Sequence, residues 1–174
     1  MLGCQAGDQE AFTDLIGIME KPLLYYATSL TGDQDAALDV LQEVWLTVVS
    51  GIRKLKDPGS LKAWIYTITH GIAVDRIRRD YSRDRIESCV RIEESDHPAE
   101  PSFANENGAA IHQALAQISV KHREVLVLHF LQDLSVEEIA SVVGCSPGTV
   151  KSRMHYAKQA MKQILQGATH GTTK

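Results

Sequence analysis

The 174-residue chain lacks the long hydrophobic runs of a membrane protein and the paired cysteines of a disulfide framework. No apolar stretch approaches the ~18 residues that span a bilayer, so we expect a soluble protein without direct membrane insertion. Cys4, Cys89 and Cys145 are widely separated and form no Cys-x-x-Cys pair, which excludes a typical zinc site. A reducing, cytoplasmic compartment is the corresponding expectation.

Residue patterns that carry catalysis or bind cofactors are also missing. We find no phosphate-binding loop, no His-Glu-x-x-His motif and no nucleophile elbow. The seven histidines are dispersed, and His122 and His129, which share a predicted helix face, lack acidic partners. The sequence therefore predicts a protein that is not an enzyme and that binds neither a metal nor a cofactor.

Apolar residues recur at helical spacing rather than with the period of two that a half-buried strand requires. Three such stripes run through residues 12–30, 37–48 and 61–72. Gly32 predicts a break between the first two helices, and Pro22 predicts a kink or division of the first. Ser60 is the predicted N-cap of the third helix. The first 80 residues therefore predict a helical bundle.

Residues 81–108 differ in composition from the chain on either side. They are rich in acidic residues and poor in apolar ones, which is typical of a flexible, extended linker. Beyond them, residues 125–128 are apolar on all sides, as in a fully buried helix. We therefore predict an all-α protein with two small helical domains, 1–80 and 109–174, joined by a flexible acidic linker.

The net charge of −4 conceals blocks of opposite sign. Residues 1–50 contain eight acidic side chains and one basic side chain, whereas residues 51–85 contain nine basic and four acidic ones. Residues 86–110 are again acidic, and residues 111–174 are basic. Such blocks indicate separate surfaces for separate partners or, as the alternative, solvated faces of helices.

The strongest local pattern is a helix-turn-helix over residues 135–165. Ser135 and Glu138 form a predicted capping box, and Gly144 suits the left-handed position that ends a helix. Ser146 is a good N-cap and Pro147 a good first residue for the following helix. A helix, a glycine-containing turn and a second helix are the arrangement that inserts a helix into the major groove of DNA.

Polar and basic side chains occupy the start of this second helix. Hydroxyl, lysine and arginine groups there can reach base edges, while groups further along the helix meet only phosphates or water. The alternative is a plain helical hairpin with a solvated basic face. The predicted DNA-binding residues are Ser146, Thr149, Lys151, Ser152, Arg153 and His155.

Five further patterns stand in a fixed order along the chain. They are GDQEAF at 7–12, DVLQEVW at 39–45, LKAWIY at 61–66 with DRIRR at 75–79, REVLVL at 123–128 and GTVKSR at 148–153. In order and spacing they resemble the extracytoplasmic-function class of bacterial RNA polymerase sigma factors, over about residues 5–165. The resemblance implies a promoter-specificity subunit in which the helix-turn-helix binds the −35 element.

The resemblance implies that the helix with DVLQEVW binds the clamp coiled coil of the largest catalytic subunit of core RNA polymerase. The residues concerned are Asp39, Gln42, Glu43 and Trp45. Asp39 and Glu43 are four residues apart, on the helix face opposite Val40. An acidic face suits a basic partner helix, although a merely solvated face is the alternative.

The resemblance also implies that the helix over 61–79 takes the −10 strand of promoter DNA. The implied residues are Lys62, Trp64, Tyr66, His70, Arg76, Arg78 and Arg79. The arginines would contact phosphates, and Trp64 and Tyr66 would stack on bases. For Trp64 the alternative is core packing, because the position adjoins the apolar stripe.

The chain departs from the usual family pattern at three places. Thr69-His70-Gly71 stands where Ala-Arg-Asn is usual, Ile118-Ser119 replaces a common Leu-Pro, and Tyr156 replaces a common Arg. Glycine lacks the asparagine side chain and weakens a helix interior by about 1 kcal/mol relative to alanine. We therefore expect altered −10 contacts at 70–71 and one phosphate contact fewer at 156.

The resemblance further implies an anti-sigma factor as a partner. It also implies that the acidic linker runs through the polymerase interior towards the RNA exit channel, whereas a simple tether is the alternative. A stand-alone transcriptional regulator that uses the same helix-turn-helix is the competing function. Such a regulator would bind duplex DNA specifically without polymerase, whereas a sigma factor with net negative charge would bind DNA weakly alone.

Overall fold

A computed structural model describes residues 1–87 and 106–170, which belong to two compact units. The first unit contains α1 (Leu2–Ala6), α2 (Gln9–Thr31), α3 (Gln34–Gly51) and α4 (Leu61–Glu87). The second contains α5 (Glu106–Gln117), α6 (Val120–Leu126), α7 (Val136–Val143) and α8 (Pro147–His170). The described residues form helices and no strand, so the predicted all-α, two-domain fold class is confirmed.

Helices α2 and α3 begin at side-chain caps, and α2 ends at a left-handed glycine. The Asp8 carboxylate accepts from the N–H of Glu10 at the start of α2, at 2.9 Å. Gly32 ends α2 with a left-handed φ of 75°, and the Asp33 carboxylate then accepts from the N–H of Ala36 at 2.7 Å to cap α3. The predicted break at Gly32 is therefore confirmed.

At Pro22 and Ser60 the structure differs from two local predictions. Of the predicted kink or division at Pro22, the division does not occur, because α2 continues through Pro22 to Thr31. Proline removes one backbone donor, but Ile18, whose carbonyl would have accepted from residue 22, is exposed, so water can satisfy that oxygen. Ser60 directly precedes α4, but its hydroxyl donates to the Asp57 carbonyl at 2.8 Å and accepts from no N–H of the described part of α4. Asp57 instead caps the 3₁₀ turn Pro58–Ser60, which leads into α4.

The core of the first unit is formed by one face from each of α2, α3 and α4. The buried side chains lie three or four residues apart, which is the spacing that places them on one side of a helix. They include Leu23, Tyr26, Ala27 and Leu30 of α2, Val40, Val44 and Val48 of α3, and Ile65, Tyr66 and Ala73 of α4. Burial of this apolar surface is what fixes the three helices against one another.

Helix α4 is longer than the predicted domain boundary at residue 80 implies. It continues to Glu87, and α5 begins at Glu106, so both ends of the predicted linker are helical. The sequence of 81–87 places opposite charges at helical spacing, which supports a helix without an apolar face. The remainder of the predicted linker, 88–105, lies outside the described residues.

The second unit is organised around α6. Residues 125–128 are all buried, as predicted, and the π-helical turn Val127–Leu131 continues the helix. The Arg123 guanidinium donates to the carbonyls of Leu115, Ala116 and Ile118 at 2.8, 3.0 and 3.2 Å. These carbonyls lie at the C-terminal end of α5, where helical carbonyls lack intrahelical partners. Arg123 therefore ties α5 to α6.

Across 1–87 and 106–170, no helix is both long enough and apolar enough to cross a bilayer. In the same part of the chain, no three histidine, cysteine or acidic side chains are grouped closely enough to hold a metal ion.

Candidate nucleic-acid and polymerase interfaces

The helix-turn-helix has the geometry that its sequence predicts. The Ser135 hydroxyl accepts from the N–H of Glu138 at 3.2 Å, and the Glu138 carboxylate accepts from the N–H of Ser135 at 2.8 Å. Gly144 then ends α7 with a left-handed φ of 65°. The Ser146 hydroxyl accepts from the N–H of Thr149 at 3.1 Å and caps α8. The corner between α7 and α8 is therefore fixed by local hydrogen bonds.

Helix α8 separates an apolar face from a polar one. Val150, Met154 and Ala157 are buried, whereas the predicted DNA-binding residues lie outside this core. Ser146, Lys151, Ser152 and His155 are exposed, and Thr149 and Arg153 are half-buried.

Local hydrogen bonds occupy the three hydroxyl groups of this set. The Ser146 and Thr149 hydroxyls lie 2.9 Å apart, and the Ser152 hydroxyl donates to the Thr149 carbonyl at 3.0 Å. The cationic groups of Lys151 and Arg153 and the His155 imidazole are the other members of the set, and they extend from the first two turns of a capped helix. Such groups can contact phosphates and base edges.

An apolar groove of about 740 Å³ lies on the second unit, and sequence reasoning missed it. Phe130 and Leu131 are exposed along it, and the Lys158 ammonium lies 5.1 Å from the Phe130 ring centroid, a cation–π contact. In the π-helical turn the Gln132 N–H donates to the Val127 carbonyl at 3.1 Å. This wider turn rotates the side chains that follow towards solvent. Apolar residues after the buried run at 125–128 were the only sequence signal.

On α4, Tyr66 is misassigned as a DNA contact. Its side chain is fully buried, with an exposed fraction of 0%, and its ring packs edge-on against Tyr26 at a centroid distance of 5.3 Å. No base can stack on a ring enclosed in this way. Burial also raises the pKa of the Tyr66 phenol, because the charged form would lose its hydration, and the group stays neutral.

Trp64 and His70 both contact other parts of the first unit. Trp64 is half-buried and lies over Gly51, where an added Cβ would be 2.9 Å from its Cζ2 atom. The packing alternative for Trp64 is therefore the one that these contacts favour. The His70 Nδ1 atom lies 3.3 Å from the Tyr26 hydroxyl, and Lys62 is half-buried.

Two of the predicted DNA-binding arginines of α4 lie beside carboxylates, and a third donates to a backbone carbonyl. The Arg76 Nη2 atom is 2.9 Å from Asp39 Oδ2, which joins a predicted DNA contact to a predicted polymerase contact. Arg78 Nη1 lies 3.6 Å from Asp75 Oδ1, and Arg79 Nε donates to the Asp75 carbonyl at 3.3 Å.

Helix α3 presents the predicted polymerase-binding face. Asp39, Gln42 and Glu43 are exposed, while Trp45 is half-buried. Beside these groups runs an apolar stripe that sequence reasoning missed, because its members lie off the buried face. It consists of Leu38, Leu46 and Val49, all exposed. The helix therefore offers both charge and apolar area to a partner.

Comparison with known proteins identifies both units. The family description "Sigma-70 region 2" matches residues 15–83, and "Sigma-70, region 4" matches residues 108–161. The ECF RNA polymerase sigma factor SigL of Mycobacterium tuberculosis is 35% identical over 147 residues, which cover 81% of each chain. The chain belongs to the ECF family of RNA polymerase sigma factors. The family membership expected from the sequence is therefore confirmed. As an ECF sigma factor, the chain is a promoter-recognising transcription initiation factor.

Further relatives agree with this family. The ECF sigma factor SigW of Bacillus subtilis is 26% identical, over 92% of this chain and 91% of its own. The solved structure of the sigma factor RpoE in complex with the anti-sigma factor NepR, from Bartonella quintana, has a TM-score of 0.75 and 25% identity. It covers 90% of this ECF sigma factor and 98% of that chain. The fold of CnrH, solved in complex with the cytosolic domain of CnrY, gives a TM-score of 0.65.

Proposed function

We propose that three helices of this sigma factor bind three different sites. Helix α8 binds the −35 element, α4 takes the −10 strand, and α3 binds the clamp coiled coil of the largest subunit of core RNA polymerase. The sigma factor performs no catalysis of its own in this scheme. The observation that carries the proposal is the capped start of α8, where Lys151 and His155 are exposed opposite the buried Val150.

At the −35 element, α8 enters the major groove with its first turns. Lys151 and Arg153 contact base edges or phosphates there, and His155 contacts the groove one turn further along. Lys158 lies beyond these turns and is held over the Phe130 ring, so it contributes little to base recognition.

At the −10 element, α4 contributes its basic C-terminal half. Arg78 and Arg79 are exposed and provide the phosphate contacts, while Lys62 and His70, which are half-buried, lie nearer the start of the same helix. Trp64 acts by packing, and Tyr66 is absent from the interface because it is buried. In this proposal α4 binds the −10 strand after the duplex has opened, because its surface offers positive charge to the phosphates and no group that would react with DNA.

Polymerase binding combines two features of α3. The carboxylates of Asp39 and Glu43 attract a basic partner helix and increase the rate of encounter. The exposed stripe of Leu38, Leu46 and Val49 then buries apolar area, which stabilises the complex once formed.

An anti-sigma factor is the further partner that we propose. The sigma factor RpoE, whose structure is similar to this one, was solved in complex with the anti-sigma factor NepR. The groove beside Phe130 suits one amphipathic helix of such a protein, because its floor is apolar and Lys158 and Lys162 line it. A helix with acidic residues beside its apolar face would fit both features.

The test is reconstitution of holoenzyme from core polymerase and this chain. Promoters are selected from a random library by transcription, and start sites are mapped. We expect RNA from defined start sites that depends on two conserved spaced elements in the selected DNA. Specific duplex binding by the chain alone, with no polymerase-dependent initiation, would establish the stand-alone regulator instead.

A further inference from the structure

An ion pair joins the proposed polymerase-binding surface of α3 to the proposed DNA-binding surface of α4. Arg76 of α4 and Asp39 of α3 contact each other across the helix pair, with Nη2 and Oδ2 2.9 Å apart. The Arg76 side chain is 29% exposed and that of Asp39 55% exposed. Both ends of the pair are therefore open to solvent, and a partner can reach Asp39 without unfolding the unit.

Arg76 lies near a second carboxylate in addition to that of Asp39. Its Nε atom lies 4.0 Å from Asp80 Oδ2, so one guanidinium lies beside two carboxylates. A DNA phosphate that approaches Arg76 therefore also approaches two carboxylates, which opposes binding at this arginine.

Arg78 provides the contrast on the same helix. It lies 3.6 Å from Asp75, and the two side chains are 77% and 67% exposed. Water screens that pair more fully than it screens the pair of Arg76 and Asp39. Of these two arginines, Arg76 is the one more strongly withheld from a phosphate.

We propose that the Asp39–Arg76 ion pair acts as a latch. It keeps Arg76 from contacting DNA until a basic side chain of polymerase binds Asp39. The latch rests on the proposed function, because it requires that α3 binds polymerase and that α4 binds the −10 strand. Released from Asp39, the guanidinium gains a phosphate contact that the free chain lacks. Core binding thereby strengthens promoter capture through one shared carboxylate.

The first test uses the free, full-length chain and a fluorescent single strand of random sequence, about 20 nucleotides long. Because exposed ion pairs are weak, Asp39→Ala should tighten binding only about two- to fivefold. It should also steepen the dependence of log affinity on log salt by about 0.7, the increment for one phosphate contact to a single strand. Both gains should disappear in the double variant Asp39→Ala with Arg76→Gln.

Asp35→Ala is the matched control, because Asp35 is also an exposed carboxylate on α3, one turn before Asp39. It should leave the salt dependence unchanged. The latch is overturned if Asp39→Ala gains no more than Asp35→Ala, or if the gain persists when Arg76 is replaced. Circular dichroism of each variant confirms that the helices are intact.

The second test compares Arg76→Gln in the free chain and in holoenzyme. We expect less than about a twofold change in single-strand binding by the free chain. We expect about a tenfold loss of open-complex formation in holoenzyme, where the released arginine contacts phosphate. Equal losses in both settings would show that Arg76 is never withheld.

The two levels of inference fail separately. If wild-type holoenzyme produces no promoter-specific RNA, the proposed function is wrong, whatever the binding of the free chain. If wild-type holoenzyme is active and Asp39→Ala does not strengthen single-strand binding, the proposed function stands and the latch is wrong.

Discussion

The indole ring of Trp64 lies against the backbone of Gly51, with no room for a side chain between them. A Cβ placed at Gly51 would be 2.9 Å from Trp64 Cζ2 and 3.2 Å from Cη2. Gly51 is the last residue of α3, and Trp64 is on the first turn of α4. This contact brings the end of the predicted polymerase-binding helix close to the start of the predicted DNA-binding helix.

Gly51→Ala should therefore destabilise the protein. Overpacking a close contact costs about 1–3 kcal/mol, because the indole or the backbone must move. Chemical denaturation followed by circular dichroism measures this loss. Combining Gly51→Ala with Trp64→Phe removes the obstructing ring atoms, so the double variant should lose less than the sum of the single losses. Strict additivity would show that the two residues do not press on each other.

Gly71→Ala is the opposite case within α4. A Cβ at Gly71 meets no atom within 4 Å, and the position is exposed inside a long helix. The substitution should raise the free energy of unfolding by about 1 kcal/mol, because alanine restricts the unfolded chain and favours the helix. The same denaturation experiment measures it. A loss of stability would mean that α4 needs local flexibility at this position.

Lys151→Ala should weaken −35-dependent initiation while core polymerase binding survives. Loss of a base or phosphate contact costs about 1–3 kcal/mol, which corresponds to a five- to 150-fold loss. Run-off transcription on a selected promoter and a pull-down with core polymerase provide the two readouts. Gln159→Ala, an exposed change on the same helix outside the predicted contacts, should affect neither.

The double variant Asp39→Arg with Gln42→Ala should show the reverse of Lys151→Ala: it should lose core polymerase binding and keep the −35 contacts. A basic side chain placed against a basic partner helix should lower affinity for core polymerase at least about tenfold. Competition against a labelled wild-type chain measures this affinity. If this variant and Lys151→Ala each lost core binding and initiation equally, the assignment of α3 and α8 to separate partners would be contradicted.

Tyr66→Phe should be neutral or stabilising near pH 7. Among the described residues, the buried Tyr66 hydroxyl has no hydrogen-bond partner, so its removal eliminates an unsatisfied polar group. Burial raises the folded-state pKa of this phenol above its ordinary value of about 10, so the unfolded chain ionises first. Stability present below pH ~10 is therefore lost as pH rises further, and the Phe variant should lose less of it. Thermal unfolding from pH 7 to 11 measures both effects.

The features that sequence predicted well are those fixed by residues close together in the chain. The capping box of Ser135 and Glu138, the left-handed Gly144 and the cap at Ser146 each depend on atoms a few residues apart. Local chemistry specifies them whatever surrounds them. The same reasoning placed a break at Gly32, and it identified the buried run at 125–128.

Sequence could not predict the features that depend on which helix faces which. Tyr66 and Trp64 have the same implied role in the sequence, yet Tyr66 packs against Tyr26 and Trp64 borders Gly51. The ion pair of Arg76 with Asp39 joins residues 37 positions apart, and only tertiary packing brings them together. The exposed groove beside Phe130 likewise follows from a π-helical turn that no spacing rule signals.

Helix α8 is a single uninterrupted segment from Pro147 to His170, and its two halves line different surfaces. The N-terminal half carries Lys151 and Arg153, whereas Lys162 and Leu165 of the other half border the groove. The proposed regulatory helix, seated in the groove, would leave Lys151 and Arg153 uncovered. Occupancy of the groove would then not by itself block the end of α8 that faces DNA in the proposed function.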